Sequence, residues 1–245
     1  MPTRSARAWR PAPGGRAVAA AEARALDRAG MAGGGLAAPR GTDGAVGSEG
    51  NGAGGMMSLS PTEPKYIIPC LLGPAIATYQ RELVDLVAER FGLTFTQRQA
   101  IPAHFTLKYH FTTSHIDEVE TLLEDFARGY PAAPVTVGGF GHFFEDVVFV
   151  EVELSPAARA ILDALIRGLR TLAWMPWDRY DAERLHPHMT IAERTRARFR
   201  EVWDLCQERE RRFTGAFDNI AILKKRGEKD GMDLWDVHRS FRLGG

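Results

Sequence analysis

The tetrapeptides His104-Phe105-Thr106-Leu107 and His188-Met189-Thr190-Ile191 share the pattern His-x-Thr-aliphatic and lie 84 residues apart. Each closes the same order of elements. Residues 65–72 (KYIIPCLL) read as a strand, with Pro69 suiting an edge or a bulge. Residues 75–91 read as a helix, with Ile76, Tyr79, Leu83, Leu86 and Val87 at helical spacing, and 103–110 as a short strand bearing the first motif. Residues 135–140 and 147–154 then read as strands around the turn GGFGHFFED. A helix capped by Ser155 and started by Pro156 runs to about 172, and 188–192 is a short strand bearing the second motif. A chain that spells strand, helix and His-bearing strand twice, without strict βαβ alternation, is confined to an α+β fold with an internal repeat of about 80 residues. Residues 116–130 and 199–211 read as further helices, and 217–224 with 233–241 as a hairpin joined by GEKDG.

Side chains alternate across a strand, so His104 and Thr106 share one face while Phe105 and Leu107 take the other. His188 and Thr190 do the same against Met189 and Ile191. Each strand therefore offers an imidazole and a hydroxyl about 6.6 Å apart. Seven histidines and 22 Ser and Thr residues give about 0.6 His-x-Ser/Thr matches by chance. There are four, the others starting at His110 and His238, but only the copies at 104 and 188 have apolar residues on both core positions. Their matched places in the two half-repeats carry the signal.

Histidine titrates near neutrality and both accepts and donates protons. Two of them on opposite sides of one phosphorus serve as base and acid for in-line displacement, and hydroxyl donors hold the non-bridging oxygens while charge builds. A 2′,3′-cyclic phosphate suits this arrangement. One histidine deprotonates water, the other protonates the leaving ribose oxygen, and such a site is also suited to 2′-5′ RNA ligation.

The two motifs, with PVTVGGFGHFF and HPHMTIAER, resemble the 2H phosphoesterase superfamily over residues 65–243, specifically its 2′-5′ RNA ligase / RNA 2′,3′-cyclic phosphodiesterase group. The resemblance implies a bilobal duplicated α+β fold, two antiparallel sheets around a central cleft flanked by helices. It implies His104 and His188 as the acid/base pair, Thr106 and Thr190 on the phosphate, no metal and no cofactor. Members often carry a basic residue soon after each motif. Lys108 fills that place in the first copy, on the face of His104 by strand parity. In the second copy Arg194 is the next base, after Ala192 and Glu193, with the right parity if the strand continues.

Other readings compete. Phe143 and Phe144, after the Gly-rich turn, are candidates for stacking on a base. His186-Pro187-His188 has the spacing of a metal pair, without an evident third ligand. A non-catalytic RNA- or nucleotide-binding module and a phosphodiesterase for a small non-RNA cyclic phosphate are the alternatives in function.

Composition bounds the rest. The 245 residues carry 31 basic and 31 acidic side chains. Residues 1–56 hold seven Arg and no Lys and are rich in Gly and Ala, which reads as a disordered or mis-started leader before a domain at 57–245. That domain has 24 basic and 27 acidic residues, a net charge of −3, which excludes a binder of nucleic acid by bulk charge. The expected partners are RNA 3′ ends or small nucleotides bearing a cyclic phosphate, not long RNA. Cys70 and Cys206 allow no disulfide framework, and no apolar run approaches the ~20 residues of a membrane span. A soluble, cytoplasmic monomer is expected.

Overall fold

In the computed structural model, which describes residues 63–178, 181 and 185–244, the two halves of the chain build two four-stranded antiparallel sheets. The expected leader at 1–56 lies outside the described residues. In chain order the elements are β1 (Lys65–Leu71), α1 (Pro74–Phe91), α2 (Phe95–Gln99), β2 (His104–Thr112), α3 (Ile116–Gly129), β3 (Ala133–Phe143), β4 (Val147–Leu154) and α4 (Pro156–Leu169). They continue with β5 (His188–Glu193), a 3-10 turn at Arg196–Arg198, α5 (Phe199–Gln207), β6 (Arg212–Phe217), β7 (Asn219–Lys229) and β8 (Met232–Arg242).

The first sheet has the order β2-β1-β7-β8 and the second β5-β4-β3-β6. The two orders superimpose element by element. In each lobe a strand leads through a helix to an antiparallel edge strand, and that edge strand bears the His-x-Thr motif. The expected α+β duplication is thus the architecture of the chain, and the two motif strands, β2 and β5, are in contact across the gap between lobes.

Local chemistry sets the elements. Pro74 and Pro156 occupy the first turns of α1 and α4, where a missing N–H costs nothing. The Ser155 hydroxyl accepts from Ala158 N at 3.1 Å, capping α4. α1 buries Ile76, Tyr79, Leu83, Val84 and Val87 along one stripe, and α4 buries Ile161, Leu162, Leu165 and Leu169. Each such side chain contributes about 1.5–3 kcal/mol of transfer free energy. α1 packs against β5 and α5, and α4 against β3 and β4, and Phe105, Leu107, Met189 and Ile191 are all at most 1% exposed. The four core partners expected from the motifs are therefore in the core.

Pro69 meets the expectation of a bulge, and two other details differ from those expected. Pro69 lies in β1, an inner strand, at a register shift against β2, so the bulge accommodates it. The helix expected over 199–211 stops at Gln207, and the chain re-forms as β6 along the outer side of β3. β6 buries only Phe217 fully, so its sequence lacks a strand's apolar signature. The last hairpin is longer than expected and turns at Asp230 and Gly231, both at positive φ (53° and 73°). Among the described residues no helix is long and apolar enough to cross a membrane.

Candidate active site

His104 is the first residue of β2 and His188 the first of β5. Each ring is fixed in the same way. Nδ1 of His104 donates to the carbonyl of Pro102 at 2.7 Å, and Nδ1 of His188 to the carbonyl of His186 at 2.6 Å. A carbonyl only accepts, so the proton of each neutral ring sits on Nδ1 and the lone pair on Nε2. Neither Nε2 has a hydrogen bond among the described residues.

Electrostatics treat the rings alike. Burial lowers the pKa of both. For His188 burial is the largest cause, the fields of His186 and His104 add to it, and its value falls to about 4. The two imidazoles therefore feel each other across the gap.

Thr106 and Thr190 stand two residues on, half-buried like the histidines, between buried neighbours. Neither hydroxyl has a hydrogen-bond partner among the described residues, so both remain available to a ligand. β5 is also held from the other lobe: Gln80 Nε2 on α1 donates to the Thr190 carbonyl at 2.9 Å.

His188 sits in an aromatic seat. Phe143 meets it edge-on, with centroids 5.1 Å apart at 88°, and Phe149 lies 4.8 Å away. The two phenylalanines pack on each other at 4.5 Å. Phe143, expected as a base platform, is thus occupied in placing His188. Phe144 lies in the β3–β4 turn at φ 50°, half-buried, outside this cluster. Gly141 makes the seat possible, because a Cβ there would collide with the Phe149 ring and the Glu151 carboxylate. Glu151 in turn holds His186 Nε2 at 2.7 Å. Among the described residues no three His, Cys, Asp or Glu side chains cluster as metal ligands would.

The two basic residues lie elsewhere than strand parity places them. Thr106 faces Pro69 but Lys108 faces Ile68, so Leu107 is an extra residue in β2. Thr190 faces Phe149 but Ala192 faces Val148, so Ile191 is an extra residue in β5. The same bulge interrupts both motif strands at the same place and inverts parity beyond it. Lys108 is consequently 1% exposed, and its Nζ pairs with Asp181 at 2.8 Å. Arg194 is exposed, beyond the end of β5, at φ 60°, with its guanidinium 3.9 Å from the centroid of Phe95. His110 follows the second register shift of β2 and stacks on Trp235 at 5.5 Å. Burial pushes the Cys70 and Cys206 thiols up to about 12, which leaves both inert near neutrality.

The motifs alone do not show Gln80, Phe149, Glu151, Asp181 or Glu193. Apolar runs hide Phe149, and the others act through contacts distant in sequence. Glu193 is the cleft-side residue after the bulge in β5, half-buried, its carboxyl pushed up to about 7 by burial.

The sequence profile of the 2′-5′ RNA ligase superfamily matches residues 80–229. Comparison with curated protein sequences finds no match. Among solved structures, TT0787 of Thermus thermophilus is similar, with TM-score 0.54 and 18% identity over 74% of this chain and 98% of that one. LigT of E. coli, crystallised with 3′-AMP, is similar at TM-score 0.51 and 12% identity, over 75% of this chain and all of that one. At these identities the likeness is one of fold.

Proposed function

This chain belongs to the 2′-5′ RNA ligase superfamily of 2H phosphoesterases, and from that premise we propose that it is a metal-independent phosphodiesterase opening 2′,3′-cyclic phosphates on RNA ends or nucleotides. The observation that carries the reading is the mirrored pair of rings. Each histidine is locked through Nδ1, and among the described residues neither its Nε2 nor the threonine hydroxyl two residues along the same strand has a hydrogen-bond partner.

The chemistry balances with these four groups. Nε2 of one neutral histidine takes a proton from water as the water oxygen bonds to phosphorus. The P–O3′ bond breaks, and the other histidine, charged, gives its Nε2 proton to the leaving 3′-oxygen. The product is a 2′-phosphate and a free 3′-hydroxyl. Thr106 and Thr190 donate to the non-bridging oxygens as charge builds. Run in the same direction with a 5′-hydroxyl in place of water, the same steps form a 2′-5′ linkage. The nucleotide held by the E. coli LigT crystal supports a ligand of this class.

The working unit is residues 57–245, a cytoplasmic monomer without a cofactor. The family match begins at residue 80 and the first described strand at Lys65.

The test is hydrolysis of a nucleoside 2′,3′-cyclic phosphate in the presence of EDTA. Turnover by the wild type, with His104→Ala and His188→Ala each lowering kcat by about 10²–10⁴-fold, is the expected result. Full activity in both variants would overturn the assignment. Nucleotide binding without turnover would make the chain a binding module. Loss of activity on chelation, restored by zinc, would return His186 and His188 to the metal reading.

A further inference from the structure

The bulge in β5 returns Glu193 to the face of His188 and Thr190; Thr190 is opposite Phe149 and Glu193 opposite Val147, so Glu193 lies about 7 Å beyond Thr190. There Glu193 and Arg194 line a cavity of about 200 Å³. Its other walls are residues 92–95 after α1, Arg98 of α2, and Asp230 and Met232 at the β7–β8 turn. The cavity therefore lies between the lobes, at the far end of the strand that carries half of the proposed phosphate site. It is smaller than the ~300–1,000 Å³ that holds a drug-sized molecule, and takes a single ring system.

Its walls describe that ring. Arg98 is paired with Asp230, and the Arg194 guanidinium sits over the Phe95 ring. An aromatic ring with a stacked guanidinium is a platform for a flat heterocycle. Glu193 is the exception: its carboxylate has no hydrogen-bond or ion-pair partner among the described residues, although burial makes its charge costly. A carboxylate is an acceptor at both oxygens and is best satisfied by two parallel N–H donors. Of the four RNA bases, guanine presents that pair, N1–H beside the N2 amine. Adenine and cytosine set their amine beside a ring acceptor, and uracil flanks its single N–H with two carbonyl oxygens that repel a carboxylate.

We propose that this cavity is a nucleobase subsite in which Glu193 selects guanine on the nucleotide whose phosphate lies between His104 and His188; the proposal rests on the function proposed above. The phosphate-to-base reach of one nucleotide matches the run from Thr190 to Glu193. Arg194, expected on the phosphate, becomes part of the base platform.

The experiment compares kcat/KM on guanosine, adenosine, cytidine and uridine 2′,3′-cyclic phosphates for the wild type and Glu193→Gln, above pH 7, where the carboxylate form dominates. The wild type should prefer guanosine by about tenfold or more, the discrimination expected of a bidentate base contact. Glu193→Gln keeps shape and removes one acceptor, and should cut the guanosine-over-uridine ratio by about tenfold. Equal rates on all four bases, or a ratio unmoved by the substitution, would discard the subsite. If no cyclic nucleotide is turned over, the catalytic reading falls. Calorimetric titration with guanosine and uridine 2′-monophosphates then decides the subsite: a guanosine preference that Glu193→Gln removes keeps it, while equal affinities or no binding discard it.

Discussion

Lys108 and Asp181 form an ion pair of 2.8 Å with side chains only 1% and 2% exposed. The other contacts of Asp181 show what the pair does. Its Oδ1 accepts from the Tyr109 amide and its Oδ2 from the Asp178 amide, at 2.8 and 2.9 Å. The segment that leads into His188 is thereby pinned to the strand of His104. Removing one partner leaves a buried charge unanswered, at a cost of about 3–5 kcal/mol. Lys108→Met is expected to lose that much in urea unfolding. Lys108→Met with Asp181→Asn, which removes both charges and keeps an acceptor for one of the two amides, should recover part of it. A Lys108→Met protein of unchanged stability and raised KM would instead return the lysine to the phosphate.

The threonines should behave in the opposite way. Their hydroxyls have no hydrogen-bond partner among the described residues, so Thr106→Val and Thr190→Val should leave the melting temperature in place. Each should lower kcat by about 10²-fold, as expected for a donor lost from a developing oxyanion. Serine at either position should restore most of the rate. Loss of stability without loss of rate would assign the hydroxyls to the fold.

The pH profile follows from the histidines. The base must be neutral, so its limb rises with pH; the acid must be charged, so its limb falls with pH. Burial lowers both pKa values below 6.5, that of His188 to about 4, and the interacting pair shares two apparent constants. The maximum of kcat/KM should therefore lie on the acid side of 6.5. Stability has a matching sign. The unfolded chain binds a proton near 6.5 that folded His188 takes up only near 4, so this contribution is full above 6.5 and is lost as the pH falls to 4. His188→Ala should flatten the decline in the urea midpoint over that window. A rate maximum above pH 7 would contradict the assignment.

Gly141 is a catalytic support without a side chain. Gly141→Ala would push Phe149 off His188. A misplacement of about 1 Å costs up to ~10²-fold, and kcat should fall by tenfold or more with KM little changed. Phe143→Leu should act in the same direction, since its ring also meets His188. If Phe143→Leu raises KM and spares kcat, the ring belongs to a base.

The fold was legible where periodicity is unbroken. The helices over 75–91 and 116–130, the two core strands at 65–72 and 147–154 and both motif strands have clear spacing, and they appear within a few residues. The motifs were legible to their fourth residue, because alternation has a period of two. Beyond it the paired bulges inverted the parity on which the placement of Lys108 depended, and β5 ended before Arg194. A one-residue bulge leaves no mark in composition. The partner of Lys108 lies 73 residues away, one carboxylate among 31 acidic residues, and nothing local points to it. β6 was hidden for another reason: an outer strand with a single fully buried residue carries little hydrophobic pattern.

The order of strands also dictates an order of events. β1 pairs with β7, so the first sheet needs residues 219–229 before its two halves can join. The second sheet has its last strand by residue 217. During synthesis the later lobe is complete while the earlier one still lacks its third strand. A nascent chain emerging N-terminus first thus finishes its later lobe before its earlier one, and β1 with β2 must wait, half-paired, until residues 219–229 have emerged.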